Sequence, residues 1–285
     1  MTGTLYRLSS FTHDPKGGNP AGVWIGEALP DAETMLSIAA EVGYSETVFL
    51  GPVHDGMHTA RYYSPEAEVS FCGHATIAAG VVLGHLNGAG TYRLATAVGE
   101  VPVAVEQIDG DWHASLFSVA PEHRGADPAL VEAALASLGW QADELDPTLP
   151  PAVAYAGAWH LVLATASKAR LDALSYDFGS LKALMLEENL TTLQLVWQES
   201  STRFHVRDPF PVGGVVEDPA TGAAAAALGG YLRDAGLIEA PAQLTLLQGE
   251  AMGRPSQLEV TIPASGGIEV SGTAVSLQEP AEYLS

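Results

Sequence analysis

One cysteine in 285 residues, and 12 Lys and Arg set against 34 Asp and Glu, are the scarcest resources of this chain. A lone cysteine excludes an intrachain disulfide and any metal site built from several thiolates, and it fits a reducing compartment. The shortage of cations, with a formal net charge of −22, argues against a nucleic-acid partner, because such a binder displaces counterions from phosphates with a Lys/Arg surface. It also argues against long-range capture of anions, so an anionic ligand needs a local positive pole to hold it. The acidic residues are scattered and read as a solvated surface. The longest apolar run, around Thr221–Leu232, is too short for a bilayer and contains paired glycines. MTGTLYRLSSF reads as a strand and not as a basic-then-apolar leader. The expectation is a cytoplasmic protein with neither a membrane nor a nucleic acid as partner.

What the chain does have is a 47 % hydrophobic composition and enough length for two domains of roughly 140 residues, each able to bury its own core. It also has an internal repeat. Shifted against itself by 146 positions, Arg61 falls on Arg207, Cys72 on Asp218, and FCGHATIAAGVVLGHL (71–86) on EDPATGAAAAALGGYL (217–232). Each copy runs from a polar segment through a small-residue turn into an Ala/Gly-rich helix pattern. Two long copies indicate a duplicated domain, with related halves facing each other across a cleft.

Along the first half, strands are expected at Leu5–Ser10 and Val23–Ile25, flanking the turn-rich HDPKGGNPAG. A helix from Asp31 to Gly43 carries Met35, Ile38, Ala39 and Val42 on one stripe. Alternating runs at Glu46–Leu50 and His58–Tyr63 precede a helix over Gly73–Leu86, and strands follow from Thr91 to Val119 with a hairpin signal in QIDGDW. APEHRGADPA (120–129) has the composition of a boundary. The second half repeats the order, with helices over Leu130–Leu138, Phe178–Glu188 and Pro219–Leu232. Ala223–Leu228 is apolar on every side, as is Ala75–Leu83 apart from Thr76, and such a helix must be surrounded. The predicted class is α+β: two pseudo-symmetric domains, each a mostly antiparallel sheet rolled around a central apolar helix. The domains are expected at 1–118 and 119–285, with a C-terminal strand near 273–285 packing back on the first.

Candidate chemistry gathers where the two copies differ. Asp218-Pro219 reads as a helix start, with Asp as the cap and Pro in the first turn. At the matching place, Cys72-Gly73-His74 puts a thiol and an imidazole at a helix amino end, where the dipole favours thiolate and neutral imidazole. Two such ends aimed into one cleft would seat an anion through the amides of Gly73, His74, Gly222 and Ala223. Glu46 begins an alternating strand, with Val48 on its face and Thr47 and Phe49 on the other. A Cys72/His74 nucleophilic pair is disfavoured, because side chains two apart on a helix do not face each other. The histidines show no ligand cluster, so no metal is expected, and no dinucleotide fingerprint is present.

GGNPAGVW (17–24), YSETVFL (44–50), the CGHAT stretch from Cys72, EDPATGAA (217–224) and QGEAMGRPS (248–256) together resemble the PhzF-like phenazine-biosynthesis family, of the diaminopimelate epimerase fold. The resemblance covers nearly the whole chain in the right order. It implies homodimers without cofactor or metal, and a reaction that moves a proton on a cyclohexadiene carboxylate. It implies Glu46 as the acid/base, His74 and Asp218 as assisting catalytic groups, and substrate contacts from Asn19, Cys72, Gly73, Thr221, Gly222 and Ala223. The family pattern has Ser where this chain has Ala223, so a hydroxyl is missing while the backbone N–H remains. In the epimerase branch two thiols work from opposite faces; with Asp218 expected opposite Cys72, that arrangement is excluded, and a mixed Cys/Asp one stays open.

The expected function is therefore a cofactor-independent isomerase acting on a small carboxylate. The alternatives are a racemase, epimerase or dehydratase of a hydroxy or amino acid that uses Cys72 or Asp218, and a non-catalytic small-molecule binder.

Overall fold

The computed structural model describes residues 2–284. The chain divides into two compact units, Met1–Phe117 with Ser271–Ser285, and Ser118–Val270. No helix among the described residues is long and apolar enough to cross a membrane.

The first unit contains β1 (Thr2–Ser10), β2 (Asn19–Gly26), α1 (Ala32–Val42), β3 (Glu46–His54), β4 (Met57–Tyr63), β5 (Glu68–Val69), α2 (Gly73–Asn87), β6 (Gly90–Thr96), β7 (Gly99–Ile108) and β8 (Asp111–Phe117). The second unit contains β9 (Glu122–Gly125), α3 (Pro128–Leu138), β10 (Ala152–Tyr155), β11 (Trp159–Ala164), α4 (Lys168–Asp172), α5 (Phe178–Glu187), β12 (Thr192–Gln198), β13 (Arg203–Pro209), β14 (Glu217–Asp218), α6 (Gly222–Asp234), β15 (Ala242–Gln248) and β16 (Ser256–Ile262). The long β17 (Glu269–Leu284) then pairs with β1 and β8 of the first unit. Following the pairings β1–β2–β3–β4–β6–β7–β8–β17 returns to β1, a closed ring of eight strands. Within this ring, β2–β3 and β4–β6 are the parallel pairs among those with defined register.

The ring closes on α2, whose residues from His74 to Gly84 are all buried and which packs on β1, β2, β3, β6, β7 and β8. Close approach is written into the helix: a Cβ on Gly80 would lie 2.6 Å from that of Ala114, and one on Gly84 would strike Trp112. The outer face of the ring is covered by α1, where Met35 and Ile38 pack with Leu5, Trp24, Phe49 and Tyr63. Asp31 caps α1 through its carboxylate on the Thr34 amide, and Gly43 ends it in the left-handed region, both as its sequence predicts. The hairpin signal also holds, with Asp109 and Gly110 at φ 52° and 98° between β7 and β8.

The second unit repeats the scheme. Strands β9–β10–β11–β12–β13–β15–β16 form a row in which β11–β12 and β13–β15 are the parallel pairs. Helix α6 packs on β9, β10, β11, β12 and β16, while α3 and α5 cover the other face through Leu135, Leu138 and Met185 on Leu161, Leu163, Leu193 and Leu195. Both domains are thus α+β sheets rolled around a central helix, the diaminopimelate epimerase-like architecture.

Three expectations need correction. The stretch 120–129 is not only a boundary: it contains β9, an edge strand on β10. The short α4 was not anticipated; Ser167 caps it from outside the apolar periodicity that marks longer helices. The largest correction concerns the second central helix, which runs Gly222–Asp234 and not Pro219–Leu232, so Asp218 is not its cap. Asp218 lies instead in β14, directly across from Asp208 on β13. A residue before proline disfavours helical angles, and the helix begins only after Thr221, which sits at φ −118° and ψ 86°.

This shift alters the repeat. The offset of 146 holds from Glu46 and Thr192 at the starts of β3 and β12 to Arg61 and Arg207, and becomes 149 at Gly73 and Gly222, where the helices begin. The three extra residues lie between Arg207 and Glu217, ends of a bidentate pair at 2.9 and 2.6 Å; its counterpart is Arg61 with Glu68, at 2.7 and 2.6 Å. Cys72 therefore corresponds to Thr221, His74 to Ala223, and Asp218 to Val69.

The two copies of the Arg–Glu pair differ in burial: Glu217 is 3 % exposed and Arg207 14 %, against 43 % for Glu68 and 33 % for Arg61. Removing one partner of a buried pair strands the other charge, whereas a surface pair contributes little. Arg207→Gln is expected to destabilise by about 3 kcal/mol and Arg61→Gln by less than about 1 kcal/mol in urea unfolding.

Candidate active site

The start of β3 and the start of α2 meet in the first unit. Phe49 packs beneath α1, so alternation turns Glu46 and Val48 to the opposite face, the one that carries α2. Cys72 stands at the N-cap of α2 in an extended conformation (φ −145°, ψ 117°), and its thiol makes no capping hydrogen bond to the helix backbone. Sγ lies 3.6 Å from Glu46 Oε2 and 3.2 Å from His74 Nδ1, and His74 Nε2 lies 3.5 Å from Glu46 Oε2. Carboxylate, thiol and imidazole thus form one triangle. Cys72 and His74 are nearly buried, at 9 % and 7 % exposure, with Glu46 partly open at 22 % for its side chain.

Contact between Cys72 and His74 overturns the expectation that residues two apart at a helix start do not face each other. That rule concerns residues inside a helix, and Cys72 stands just outside one. Likewise, the histidines showed no ligand cluster in the sequence, yet folding brings donor atoms of Glu46, Cys72 and His74 within 4.8 Å of one another. Two distant segments build the group, so local spacing carried no sign of it.

Neighbours fix the triangle. Ser10 donates its hydroxyl to the His74 carbonyl at 2.7 Å, and Ser45 Oγ stands 3.4 Å from His74 Nε2. Thr76 donates to the Cys72 carbonyl at 2.7 Å and is itself 2.7 Å from the Tyr62 hydroxyl. Burial pushes the Tyr62 phenol far above its ordinary range, so it remains a neutral hydrogen-bonding group. Asn19, buried at the start of β2, pairs across with Ser10, which ties the GGNPAG loop to the start of α2. The first in-helix bond is Thr76 N–H to Cys72 O, so the amides of Gly73 and His74 belong to the first turn, where helices favour anions. Ser10, Ser45 and Tyr62 were not singled out in the sequence; only Ser45 had a signal, lying within YSETVFL.

Asp218, Thr221, Gly222 and Ala223 form a second group, within the other unit. Asp218 Oδ2 accepts the Thr221 hydroxyl at 2.6 Å, and the Thr221 amide donates to Gln248 Oε1 at 3.1 Å. Gln248 Nε2 reaches Asp208 Oδ2 at 3.0 Å and the Asp218 carbonyl at 2.8 Å. Gly249 makes the turn possible: it sits at φ 74°, and a Cβ there would lie 2.2 Å from the Arg254 carbonyl oxygen and 2.9 Å from that of Pro219. Gly222 and Ala223 supply first-turn amides, the first in-helix bond being Ala225 N–H to Thr221 O.

Asp208 takes the place in the repeat that Tyr62 holds in the first unit. It is fully buried, and its Oδ1 has no hydrogen-bond partner among the described residues. Burial, reinforced by the neighbouring charges of Asp218 and Glu217, raises its carboxyl well above the ordinary range against the opposing bonds from Thr221 and Gln248. A carboxyl raised by folding favours the protonated folded state, so its stabilising contribution is full below the unfolded value near 3.8 and is lost as pH climbs toward the folded value. Asp208→Asn cannot ionise. Above pH 4 the stability of the wild type is expected to fall relative to Asp208→Asn by up to about 1.4 kcal/mol per pH unit, read from urea midpoints across a pH series. A pH-independent difference would show that Asp208 ionises normally.

A twice-repeated rolled sheet is also the fold of a solved structure described as a predicted epimerase from Pseudomonas aeruginosa, at 25 % identity and a TM-score of 0.86, and of one described as a probable proline racemase from Agrobacterium radiobacter, at 13 % and 0.65. Residues 8–280 match the family of phenazine biosynthesis-like proteins, PhzC-PhzF. The chain is 32 % identical to an uncharacterized isomerase of Deinococcus radiodurans, over 95 % of this chain and 92 % of that one. It is 31 % identical to the trans-2,3-dihydro-3-hydroxyanthranilate isomerase of Pseudomonas aeruginosa, over 97 % and 98 %. The solved structure of a PhzF-family protein from Bacillus anthracis superimposes with a TM-score of 0.86 at 22 % identity, covering all of both chains. The chain belongs to the PhzF family, and it is an isomerase.

Proposed function

We propose that this isomerase moves a proton on a small carboxylate-bearing substrate by acid/base catalysis, without a cofactor, and that Glu46 carries the proton. The observation that supports this reading is the convergence of the Glu46 carboxylate, the Cys72 thiol and the His74 imidazole at the amino end of α2. In such a reaction Glu46 accepts a proton from a carbon alpha or vinylogous to the substrate carboxylate and returns it to another carbon. The first-turn amides of Gly73 and His74 hold the carboxylate and stabilise the charge that grows as the C–H bond breaks, the local positive pole that so acidic a chain requires. His74, against Glu46, orients the carboxylate. Asp218 takes the assisting role that its motif implies.

A panel of small carboxylates incubated with the protein in heavy water, followed by mass spectrometry, identifies the exchanged compound and the atom attacked. On that compound Glu46→Gln is expected to lower exchange by about 10²- to 10⁴-fold with an unchanged circular dichroism spectrum. Exchange at the wild-type rate would remove Glu46 from this role.

The thiol within the triangle favours one second reading, in which Cys72 is itself an acid/base group of a racemase or epimerase. Cys72→Ser separates the two. Near-normal turnover fits Glu46 acting alone, and a loss as deep as that of Glu46→Gln fits the thiol.

A further inference from the structure

We propose that Glu46, Cys72 and His74 also form a binding site for a borderline-soft divalent cation of the Zn²⁺ class, and that the cation blocks the proton chemistry. The donors are one thiol, one imidazole and one carboxylate, all within 4.8 Å of one another. Tetrahedral zinc, with bonds of about 2.3 Å to sulfur and about 2.0–2.1 Å to nitrogen and oxygen, sets its ligand atoms roughly 3.2–3.7 Å apart. The separations here are 3.2 Å from Cys72 Sγ to His74 Nδ1 and 3.6 Å from Cys72 Sγ to Glu46 Oε2. Three protein ligands leave a fourth position open to water or to an anion.

The surroundings have the form of a ligand shell. A ligating imidazole uses its second nitrogen to fix its ring, and with Nδ1 on the metal His74 Nε2 has Ser45 Oγ at 3.4 Å. The Ser10 and Thr76 hydroxyls anchor the His74 and Cys72 carbonyls at 2.7 Å each, holding the backbone that carries two of the three ligands. The thiol gives up its proton to solvent on binding, so thiolate and carboxylate together balance the dication at the positive end of α2. Thiolate selects Zn²⁺, Co²⁺ and Cd²⁺ over Mg²⁺ and Ca²⁺. Coordination withdraws electron density from the Glu46 carboxylate and the Cys72 thiolate, which makes both far weaker acceptors of a proton from carbon.

This proposal needs the triangle but not the isomerase assignment, and it is tested without substrate. Air-free titration of the intact chain with Co²⁺ is expected to produce a thiolate-to-cobalt charge-transfer band in the near ultraviolet, which Zn²⁺ abolishes by competition and Mg²⁺ leaves unchanged. Cys72→Ser should lose the band, while His74→Gln and Glu46→Gln should weaken Co²⁺ binding by about tenfold or more, with circular dichroism confirming that each variant is folded. Absence of a band in the wild type, its persistence in Cys72→Ser, or equal competition by Mg²⁺ would overturn the site. A band with no exchange on any carboxylate would retain the metal site while removing the proposed reaction.

Discussion

Each unit is organised by the need to bury a helix that is apolar on every side. An α-helix of this kind has no face to offer water, so a sheet must wrap it, and the wrap closes only where the helix is thin. Gly80 and Gly84 of α2 supply that thinness against Ala114 and Trp112, and Gly229 of α6 does so against Val260 and Ile268. Flanks made this dry leave no room for chemistry. What stays polar is the amino end, where the first amides lack partners within the helix and where the preceding loop can present side chains. The candidate residues Cys72, Gly73, His74, Thr221, Gly222 and Ala223 lie at such ends.

The repeat gives two copies of one frame and two different chemistries. Beneath the start of α2 lies a phenol, Tyr62, bonded to Thr76; at the equivalent place in the second unit lies a buried carboxyl, Asp208, bonded to Gln248. Three extra residues before Glu217 move Asp218 out of register with Cys72 and onto a strand, where its carboxylate accepts from Thr221. His74 has Ala223 as its counterpart, and Glu46 has Thr192, whose hydroxyl meets His160 at 2.8 Å in the core. Burial lowers the His160 imidazole to about 3, so it stays neutral. The second unit's copy of the Glu46, Cys72 and His74 triangle thus reads Thr192, Thr221 and Ala223, with no carboxylate, thiol or imidazole among them.

Much of this was legible in the chain. Alternation placed Glu46 and Val48 on one strand face, and the α1 packing beneath Phe49 agrees with it. The stripe of Met35, Ile38, Ala39 and Val42 marked α1 together with its cap and its stop. The two all-apolar helices marked the rolled sheets. The start of α6 was misread because Asp-Pro is a strong local signal for a helix start, while the competing constraint is tertiary: β14 pairs with β13 and holds Glu217 and Asp218 in a strand.

By itself the sequence determined the class of fold, the duplication, and the residue types available for proton transfer, because hydrophobic period and composition act locally and leave local signatures. The meeting of Glu46 with Cys72 and His74, the burial that raises the Asp208 carboxyl and the true register of the repeat were decided only in three dimensions. Each depends on segments far apart in the chain being brought within a few ångströms, and on burial that no local pattern records.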